Sequence, residues 1–356
     1  MATMSHQRTY NLMPRPRSTW QIIPLLEIGK GFLDGKNWIE KDLNNKNITQ
    51  YSLYEALAAS EHFELVPGRE DEMRGRTYLT MNPMRLGLCW KKANSRNNQQ
   101  IVFTPVADAL IKRENIEQVW LKQMLKWQIP STSDKQPHMQ KNSFHPFLAS
   151  ILVCLHLGLL TKKPEQEYLS KWEYSVFILT MTNDKHATII AKDILMVRMK
   201  VQNLKKTQKD QYRLAYAIKH LKWIYKDDIK AGRFSKRQQD PNKPKLTIDE
   251  EAERRVRQNE TDFTDTTMRY MRATGIFIAS DRVKRLRLDP RNRWKAKELA
   301  KSIELTKINT DYTNVQKFYS WFGNPNEPKL PWESVPGYNQ EIFQNLNQIY
   351  EILERI

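Results

Sequence analysis

The sequence contains few of the residues that most catalytic and structural motifs need. Only 2 of its 356 residues are cysteine, so neither a disulfide framework nor a zinc finger is predicted, and a reducing cytoplasm is the expected compartment. Its 11 glycines form neither glycine-rich phosphate-binding motif of ATP-driven and dinucleotide-dependent enzymes. No apolar run reaches the roughly 18 residues that a membrane-spanning helix requires. The polar residues 1–17 contain no apolar segment of a secretory signal.

Acidic residues are scarce relative to basic ones. The chain has 58 Lys and Arg against 40 Asp and Glu, which gives a formal net charge of +18. A surplus of this size predicts a polyanionic partner, and nucleic acid is the commonest one, whereas no membrane association is predicted. Hydrophobic residues make up 40% of the chain, so a sizeable core can form. The length suits two or three domains of roughly 100–200 residues each.

Helical patterns dominate the sequence. An apolar run predicts a buried helix over residues 147–160, and residues 200–237 predict an amphipathic helix with basic sides. Capping boxes beginning at Ser52 and Thr247 each predict the start of a helix, and the segment around Arg76 is predicted to be a loop. The expected fold class is mainly α with small β-hairpins (α+β).

Two segments have the outline of a winged helix, in which helices are followed by a basic hairpin. The first hairpin pairs residues 86–90 with 101–104 across a long polar tip. The second pairs residues 276–279 with 283–288, after a helix that ends at Gly275. A winged helix can place its helix in a major groove and grip phosphates with its wing. We therefore predict two winged-helix-like DNA-binding subdomains plus a helical linker region, although solvated basic hairpins are the alternative.

Polar and basic side chains on these segments are the candidate DNA contacts. Lys and Arg neutralise phosphates, whereas Arg, Asn and Gln can also read base edges. The candidates are Arg15 and Arg17 in a proline-rich arm, Arg69, Arg74 and Arg76 in the first loop, Lys91, Lys92 and Arg96 in the first hairpin, Thr266, Arg269 and Arg272 on the second helix, and Arg282, Lys284, Arg285 and Arg287 in the second hairpin. The arm is alternatively a solvated tail, and Arg272 is alternatively a structural salt-bridge partner.

No catalytic residue and no metal ligand is predicted. A Mg²⁺-dependent nuclease needs carboxylates beside the scissile phosphate, commonly an Asp on a strand followed by Glu-x-Lys. Glu327-Pro328-Lys329 has that spacing but lies in a proline-rich connector, and His138 and His145 lack a third ligand. Whether this chain is an enzyme is therefore left open.

Three stretches of the sequence are similar to a known family. They are LKQMLKWQIPS at 121–131, TTMRYMRATGIF at 266–277 and YTNVQKFYSWFGNPNEPKLPWE at 312–333. They resemble the AlwI family of type IIS restriction and nicking endonucleases, and the resemblance extends from about Tyr10 to Trp332. It implies an N-terminal recognition region of winged-helix-like subdomains, then a linker and a Mg²⁺-dependent nuclease domain that cleaves outside the site. The chain departs from this pattern by ending soon after the recognition region, so no catalytic residue is carried over.

The resemblance implies a sequence-specific recognition module or subunit in the cytoplasm of a bacterium. We expect a monomer on a short asymmetric DNA duplex, a nuclease domain or partner chain, no cofactor in this chain, and Mg²⁺ only for the nuclease. A winged-helix transcription regulator or replication-initiator-like protein is the alternative, and a complete endonuclease is a third. The predicted division is a recognition subdomain with arm and first wing (1–135), a helical subdomain (136–235), a second winged-helix-like subdomain (236–310) and a helical linker (311–356).

Overall fold

The structure is a computed structural model that describes residues 12, 16–63, 72–132, 134, 139–234, 246–280 and 285–334. This part of the chain is mainly helical and contains small antiparallel sheets, which confirms the predicted α+β class. The finer prediction of winged-helix-like subdomains stays a prediction. Among the helices of these residues, none combines the length and apolarity that crossing a bilayer would require.

Helices α1 to α4 form the first part of the described chain. They are α1 (Ile22–Leu33), α2 (Ile48–Ala58), α3 (Glu72–Thr80) and α4 (Asn82–Arg85). The prediction that Ser52 opens a helix is wrong, because the side chain of Asn47 accepts a hydrogen bond from the backbone N–H of Gln50 at 2.8 Å and caps α2 earlier. The loop predicted around Arg76 is also wrong from residue 72 onward, where α3 begins.

A two-stranded antiparallel sheet follows α4. Strands β1 (Cys89–Ser95) and β2 (Asn98–Phe103) pair so that Cys89 lies opposite Phe103. The long tip predicted for this hairpin is wrong, because pairing continues to a tight turn at residues 96–97. The backbone N–H of Trp38 donates to the carbonyl of Gln99 at 2.6 Å, and the amide of Asn37 donates to the carbonyl of Asn97 at 3.0 Å. These bonds extend the ladder and brace the turn.

The apolar run at 147–160 forms helix α7 (Pro146–Thr161), which is buried along most of its length, so the predicted buried helix is confirmed. The capping box at Thr247 is also confirmed, because its hydroxyl accepts from the N–H of Glu250 at 3.2 Å. The other α-helices of the described residues are α5 (Pro105–Ile111), α6 (Ile116–Lys126), α8 (Lys171–Glu173), α9 (Ala187–Gln202), α10 (Lys206–Ile224), α11 (Lys226–Lys230), α12 (Ile248–Gln258), α13 (Asp265–Arg272), α14 (Arg293–Lys301) and α15 (Val315–Phe322).

Shorter helical segments join these elements. Segments Tyr174–Ile178 and Asn259–Thr264 wind as π-helices, the first directly after α8 and the second directly before α13, and they contact each other. The 3₁₀ turns are Thr19–Gln21, Pro164–Gln166, Asp184–His186, Pro290–Asn292, Ile303–Thr306, Thr310–Thr313 and Pro331–Ser334.

The second sheet combines distant parts of the sequence. Strands β3 (Tyr168–Ser170), β4 (Phe277–Ser280) and β5 (Arg285–Leu288) are antiparallel in the order β3-β5-β4. Along β5 the side chains alternate, so Leu286 and Leu288 are buried whereas Arg285 and Arg287 lie on the opposite face. The period-2 pattern of β5 thus presents two arginines side by side.

One hydrophobic core joins most of the described residues. It extends from Leu12 to Trp332 and includes side chains from each of the four predicted segments. A separate small cluster holds α15, where Phe318 packs between Tyr319 and Phe322. The predicted boundaries between segments stay a prediction. Strand β3 of the second predicted segment is hydrogen-bonded to β5 of the third.

Helix α15 is fixed to the body through its C-terminal carbonyls. The ammonium group of Lys126 donates to the carbonyls of Phe322 and Asn324, both at 2.7 Å, and the amide of Gln123 donates to Phe322 at 2.9 Å. Gly87 has a φ of +67°, and a Cβ there would lie 2.7 Å from the side chain of Gln123. Gly87 thus lies close to Gln123, which holds α15, and strand β1 starts two residues after Gly87. The position of α15 therefore helps to set the direction of the first hairpin.

A buried ion pair joins the second sheet to α14. The guanidinium of Arg293 donates to both carboxylate oxygens of Glu167 at 2.7–3.0 Å, and the Glu167 side chain is only 2% exposed. The backbone carbonyl of Glu167 also accepts from the N–H of Leu288 at 3.1 Å, one residue before β3 begins. The pair therefore holds the β3 edge of the sheet against α14.

We predict that Glu167→Ala lowers the free energy of unfolding by about 3–5 kcal/mol, because it leaves the Arg293 charge buried without its carboxylate. Urea unfolding followed by circular dichroism would measure the change. Glu304→Ala is the matched control, since Glu304 is 77% exposed in its pair with Lys307 and should change stability by less than about 1 kcal/mol. Equal losses in both variants would contradict a structural role specific to Glu167.

Candidate nucleic-acid interface

The first hairpin carries basic side chains on an exposed surface. Arg76 on α3, Lys91 and Lys92 on β1, and Arg96 in the turn are all exposed, and we name them the hairpin surface. Partial burial and, secondly, the neighbouring guanidinium of Arg76 lower the pKa of Lys91 from its usual value. The fold thus brings together two cations that the sequence placed in different elements.

The hairpin surface has an excess of positive charge that the described residues do not neutralise. No carboxylate among them lies within ion-pair distance of Arg76, Lys91, Lys92 or Arg96. Like charges held near one another raise the local potential, and an anion between them relieves the repulsion. This surface is therefore suited to a polyanion such as a phosphate backbone.

A second group of cations surrounds Asp265 at the start of α13. The carboxylate of Asp265 lies 3.0 Å from Arg269, 3.1 Å from Lys171 and 3.6 Å from Arg17, and we name these residues the Asp265 cluster. Partial burial acts to raise the pKa of Asp265, but the hydrogen bonds from Arg269 and Lys171 outweigh it and lower the pKa. Arg17 also approaches Asp262 at 3.9 Å, so its charge is shared between the two carboxylates. Lys171 is a member that the sequence reasoning missed.

Helix α13 is covered on nearly every side. Leu12 is fully buried against it and donates its N–H to the hydroxyl of Thr267 at 3.3 Å, and the hydroxyl of Tyr270 donates to the carbonyl of Pro16 at 3.0 Å. Within α13, Arg269 is the exposed residue. The arm therefore packs on the helix at these points, and the expectation that this helix is free to enter a groove is wrong.

The prediction that Thr266 contacts DNA is wrong for the same reason. Its side chain is fully buried, and its hydroxyl donates to the carbonyl of Asp262 at 3.0 Å. Arg272 is half-buried and donates to the backbone carbonyl of Arg285 at 3.1 Å, which joins α13 to β5. The structural alternative for Arg272 thus has a specific partner, although that partner is a carbonyl and not a carboxylate.

The outward face of β5 presents a further basic group. The guanidinium of Arg285 lies 4.2 Å from the ring centre of Tyr168 on β3, and the guanidinium of Arg198 lies 4.0 Å from the same ring. Arg198 is ion-paired to Glu173 at 2.8 Å, whereas no carboxylate of the described residues pairs with Arg287. We name Tyr168, Arg285 and Arg287 the β5 surface. Sequence reasoning missed Arg198, because nothing local to α9 indicates that it reaches β3.

A cleft of about 700 Å³ lies beside the β5 surface. Arg287, Lys162 and Arg293 line it together with Glu165 and Glu167. Arg293 is neutralised by Glu167, and the three lining cations against two lining carboxylates leave the cleft with a net charge of +1. The cleft therefore continues the basic character of the β5 surface.

Some predicted contacts lie outside the described residues. These are Arg15, Arg69, Arg282 and Lys284, together with the side chain of Arg74, whose backbone belongs to α3. Among the residues that are described, no group of three or more His, Cys, Asp or Glu side chains converges.

The match to a known protein family decides how this basic surface is interpreted. The sequence model described as AlwI restriction endonuclease matches residues 84–355, which is more than half of the chain. The chain belongs to the AlwI restriction endonuclease family. This membership confirms the resemblance found in the sequence. In this AlwI-family chain the matched region includes both hairpins and the Asp265 helix, whereas Arg76 and helices α1 to α3 precede it.

Other comparisons add less to the AlwI-family assignment. No curated protein matches the sequence. One solved structure to which the chain is similar contains pyrene- and phenanthrene-modified DNA in complex with the BpuJ1 endonuclease binding domain. The identity is 9%, the similarity covers 89% of this chain and 98% of that one, and the TM-score is 0.49.

We predict that Asp265→Asn lowers the free energy of unfolding by about 1–2 kcal/mol at neutral pH, because Arg269 and Lys171 lose a charged acceptor. The folded-state pKa of Asp265 is lowered, so its contribution is fully present above the usual Asp value of about 4 and is lost as pH falls through the folded-state value. Urea unfolding at neutral pH and near pH 2 would measure both effects.

Asp262→Asn is the control for this pair of measurements. Asp262 lies on the adjoining π-helix, is 44% exposed and approaches Arg17 only to 3.9 Å, so little change is expected at either pH. A loss for Asp265→Asn that is the same at both pH values would contradict the electrostatic role.

Proposed function

We propose that this chain is the DNA-recognition part of a type IIS restriction endonuclease and binds a short asymmetric duplex as a monomer. Cleavage is assigned to a Mg²⁺-dependent nuclease domain or partner chain, because the described residues supply no cluster of metal ligands. The setting would be the cytoplasm of a bacterium that carries a restriction–modification system. Binding, and not bond cleavage, is the task of the described residues.

The observation that carries the proposal is the hairpin surface in a chain of an endonuclease family. A restriction endonuclease acts on DNA. Lys91, Lys92 and Arg96 belong to the two-stranded ribbon and Arg76 lies beside it on α3, without acidic partners among the described residues. A two-stranded ribbon has the width that a major groove admits. Phosphate contacts from the lysines would supply affinity through counterion release.

Sequence reading is assigned to the turn of this hairpin. Arg96 and its exposed neighbours Asn97 and Asn98 are of the types that pair with guanine and adenine edges. Hydrogen bonds from Asn37 and Trp38 hold the backbone of the turn before DNA arrives. A braced turn loses little conformational freedom on binding, which favours affinity and geometric discrimination.

The second hairpin is proposed as the wing of a winged-helix-like subdomain. The order β3-β5-β4 supports this assignment, because a strand from before the helices lies beside the returning strand of the hairpin. Since Leu12 and Pro16 cover much of α13, the wing would make the main contact with DNA, and the helix would contribute only its exposed residue Arg269. Arg285, Arg287 and, at the edge of α13, Arg269 are the described residues assigned to phosphates.

The decisive test is selection from a random duplex library with this chain alone, with and without Mg²⁺. We expect a short asymmetric consensus and intact DNA under both conditions. A palindromic consensus would instead favour a dimeric regulator, since such proteins read symmetric half-sites. Cleaved products that require Mg²⁺ would show that this chain holds its own catalytic carboxylates, and the absence of any consensus would contradict sequence-specific recognition.

We predict that Lys91→Gln and Arg287→Gln each weaken binding to all duplexes alike. Each should reduce the slope of log K against log salt by about 0.9, because one phosphate contact is removed. Fluorescence anisotropy over a salt series would measure the slopes. Lys307→Gln is the control, since Lys307 is 63% exposed and paired with Glu304 outside these surfaces. Slopes that match the unmodified protein would refute the phosphate contacts.

A further inference from the structure

Helix α10 carries a stripe of aromatic side chains that the proposed recognition surfaces do not use. Tyr212, Tyr216, His220 and Trp223 follow one another at intervals of three or four residues, so they lie along one face of the helix. Successive ring centres are 6.5, 6.3 and 6.1 Å apart, with interplanar angles of 29°, 12° and 33°. We name these residues the α10 stripe.

The α10 stripe rests on a rigid support. Tyr216 lies 6.0 Å from Trp172 and 5.8 Å from Phe177, measured between ring centres, and His220 lies 5.8 Å from Phe177. A hydrogen bond of 3.1 Å joins His220 Nε2 to the hydroxyl of Thr180. The support fixes the middle of the stripe, so the rings are ordered before any ligand binds.

The rings of the α10 stripe are uncharged, whereas their surroundings are basic. Burial lowers the pKa of His220 to about 4, so its imidazole is neutral at pH 7. Lys209 and Lys219 fall on the same side of the helix as the stripe. The ionised side chains of α10 itself are Lys206, Lys209, Arg213, Lys219 and Lys222 against Asp210, while Asp193 of α9 faces Tyr216 and Asp249 of α12 pairs with Lys222 at 2.7 Å.

The end of the α10 stripe is open to solvent. The side chain of Trp223 is 66% exposed, although it is among the largest apolar groups in the chain. A large exposed apolar side chain is informative where it continues an ordered aromatic row flanked by cations. Surfaces that bind single strands combine these two features, because bases stack on aromatic rings while Lys and Arg follow the phosphates.

We infer that the α10 stripe binds unpaired nucleotides, and that its ligand is single-stranded DNA. Trp223 provides the stacking surface at the open end, Lys219 neutralises phosphates beside it, and Lys209 does so near Tyr212 at the other end of the stripe. A duplex suits this surface less well, because paired bases hide their faces within the stack. The site shares no residue with the hairpin surface or the β5 surface, so it does not rest on the proposed recognition of a duplex.

The test is the affinity of the whole chain for fluorescein-labelled oligothymidylate of about eight nucleotides, which is within the site size of single-strand binders. We expect Trp223→Ala to weaken binding about tenfold, and Trp223→Phe to retain most of it, because a phenyl ring still stacks. An abasic strand of the same length should bind the unmodified protein as weakly as the thymidylate binds Trp223→Ala.

Trp20→Ala is the matched control, because Trp20 is 61% exposed but lies in the Thr19–Gln21 turn, outside α10. It should leave thymidylate binding unchanged. Lys219→Gln should weaken binding of the thymidylate and the abasic strand alike, since it removes a phosphate contact from both.

Three results would overturn the inference. Equal affinity for the thymidylate and the abasic strand would mean that charge alone acts. Equal losses in Trp20→Ala and Trp223→Ala would mean that the α10 stripe has no special role. A Trp223→Ala defect that appears on a fully paired hairpin duplex and not on the thymidylate would assign the stripe to duplex DNA.

Discussion

The buried pair between Glu167 and Arg293 is the interaction on which the basic face of the molecule depends. It fixes the chain just before β3, so that β3 can pair with β5 from a part of the sequence more than a hundred residues away. With Leu286 and Leu288 held in the core, Arg285 and Arg287 must point outward. A buried ion pair contributes little net stability compared with an apolar substitute, but breaking it is costly, so it specifies one arrangement.

The basic residues behind the net charge of +18 are of two kinds: some pair with buried carboxylates, and others are exposed without such a partner. Several carboxylates are buried as partners of arginines, as Glu167 is for Arg293, Glu173 for Arg198 and Glu251 for Arg255. The first two pairs join different elements and the third lies within α12, and none of them contributes net charge. The basic residues of the hairpin surface and Arg287 have no such carboxylate partner among the described residues, so their charge is available to a polyanion.

In the proposed function the hairpins make most of the contacts with DNA, and helix α13 contributes only Arg269. Leu12 and Pro16 cover α13, whereas the turn at Arg96 is braced by Asn37 and Trp38 and remains exposed. The α10 stripe offers a different chemistry, with stacking surfaces in place of a dense cationic ribbon. Together these regions give the chain separate surfaces for paired and for unpaired nucleic acid, each with its own dependence on salt and on the bases.

The sequence by itself determined the family, because the match extends over residues 84–355. It also determined the charge, the α+β class, the buried helix at α7 and the cap at Thr247, because each of these depends on composition or on residues within a few positions. Only the tertiary structure decided that Thr266 is buried, since Leu12, which helps to cover α13, bonds to the next residue of that helix across 255 positions. The adjacency of Arg76 to Lys91 likewise depends on how α3 packs beside β1. Local patterns report which face is apolar, and only packing between distant segments decides which basic residues remain open to a partner.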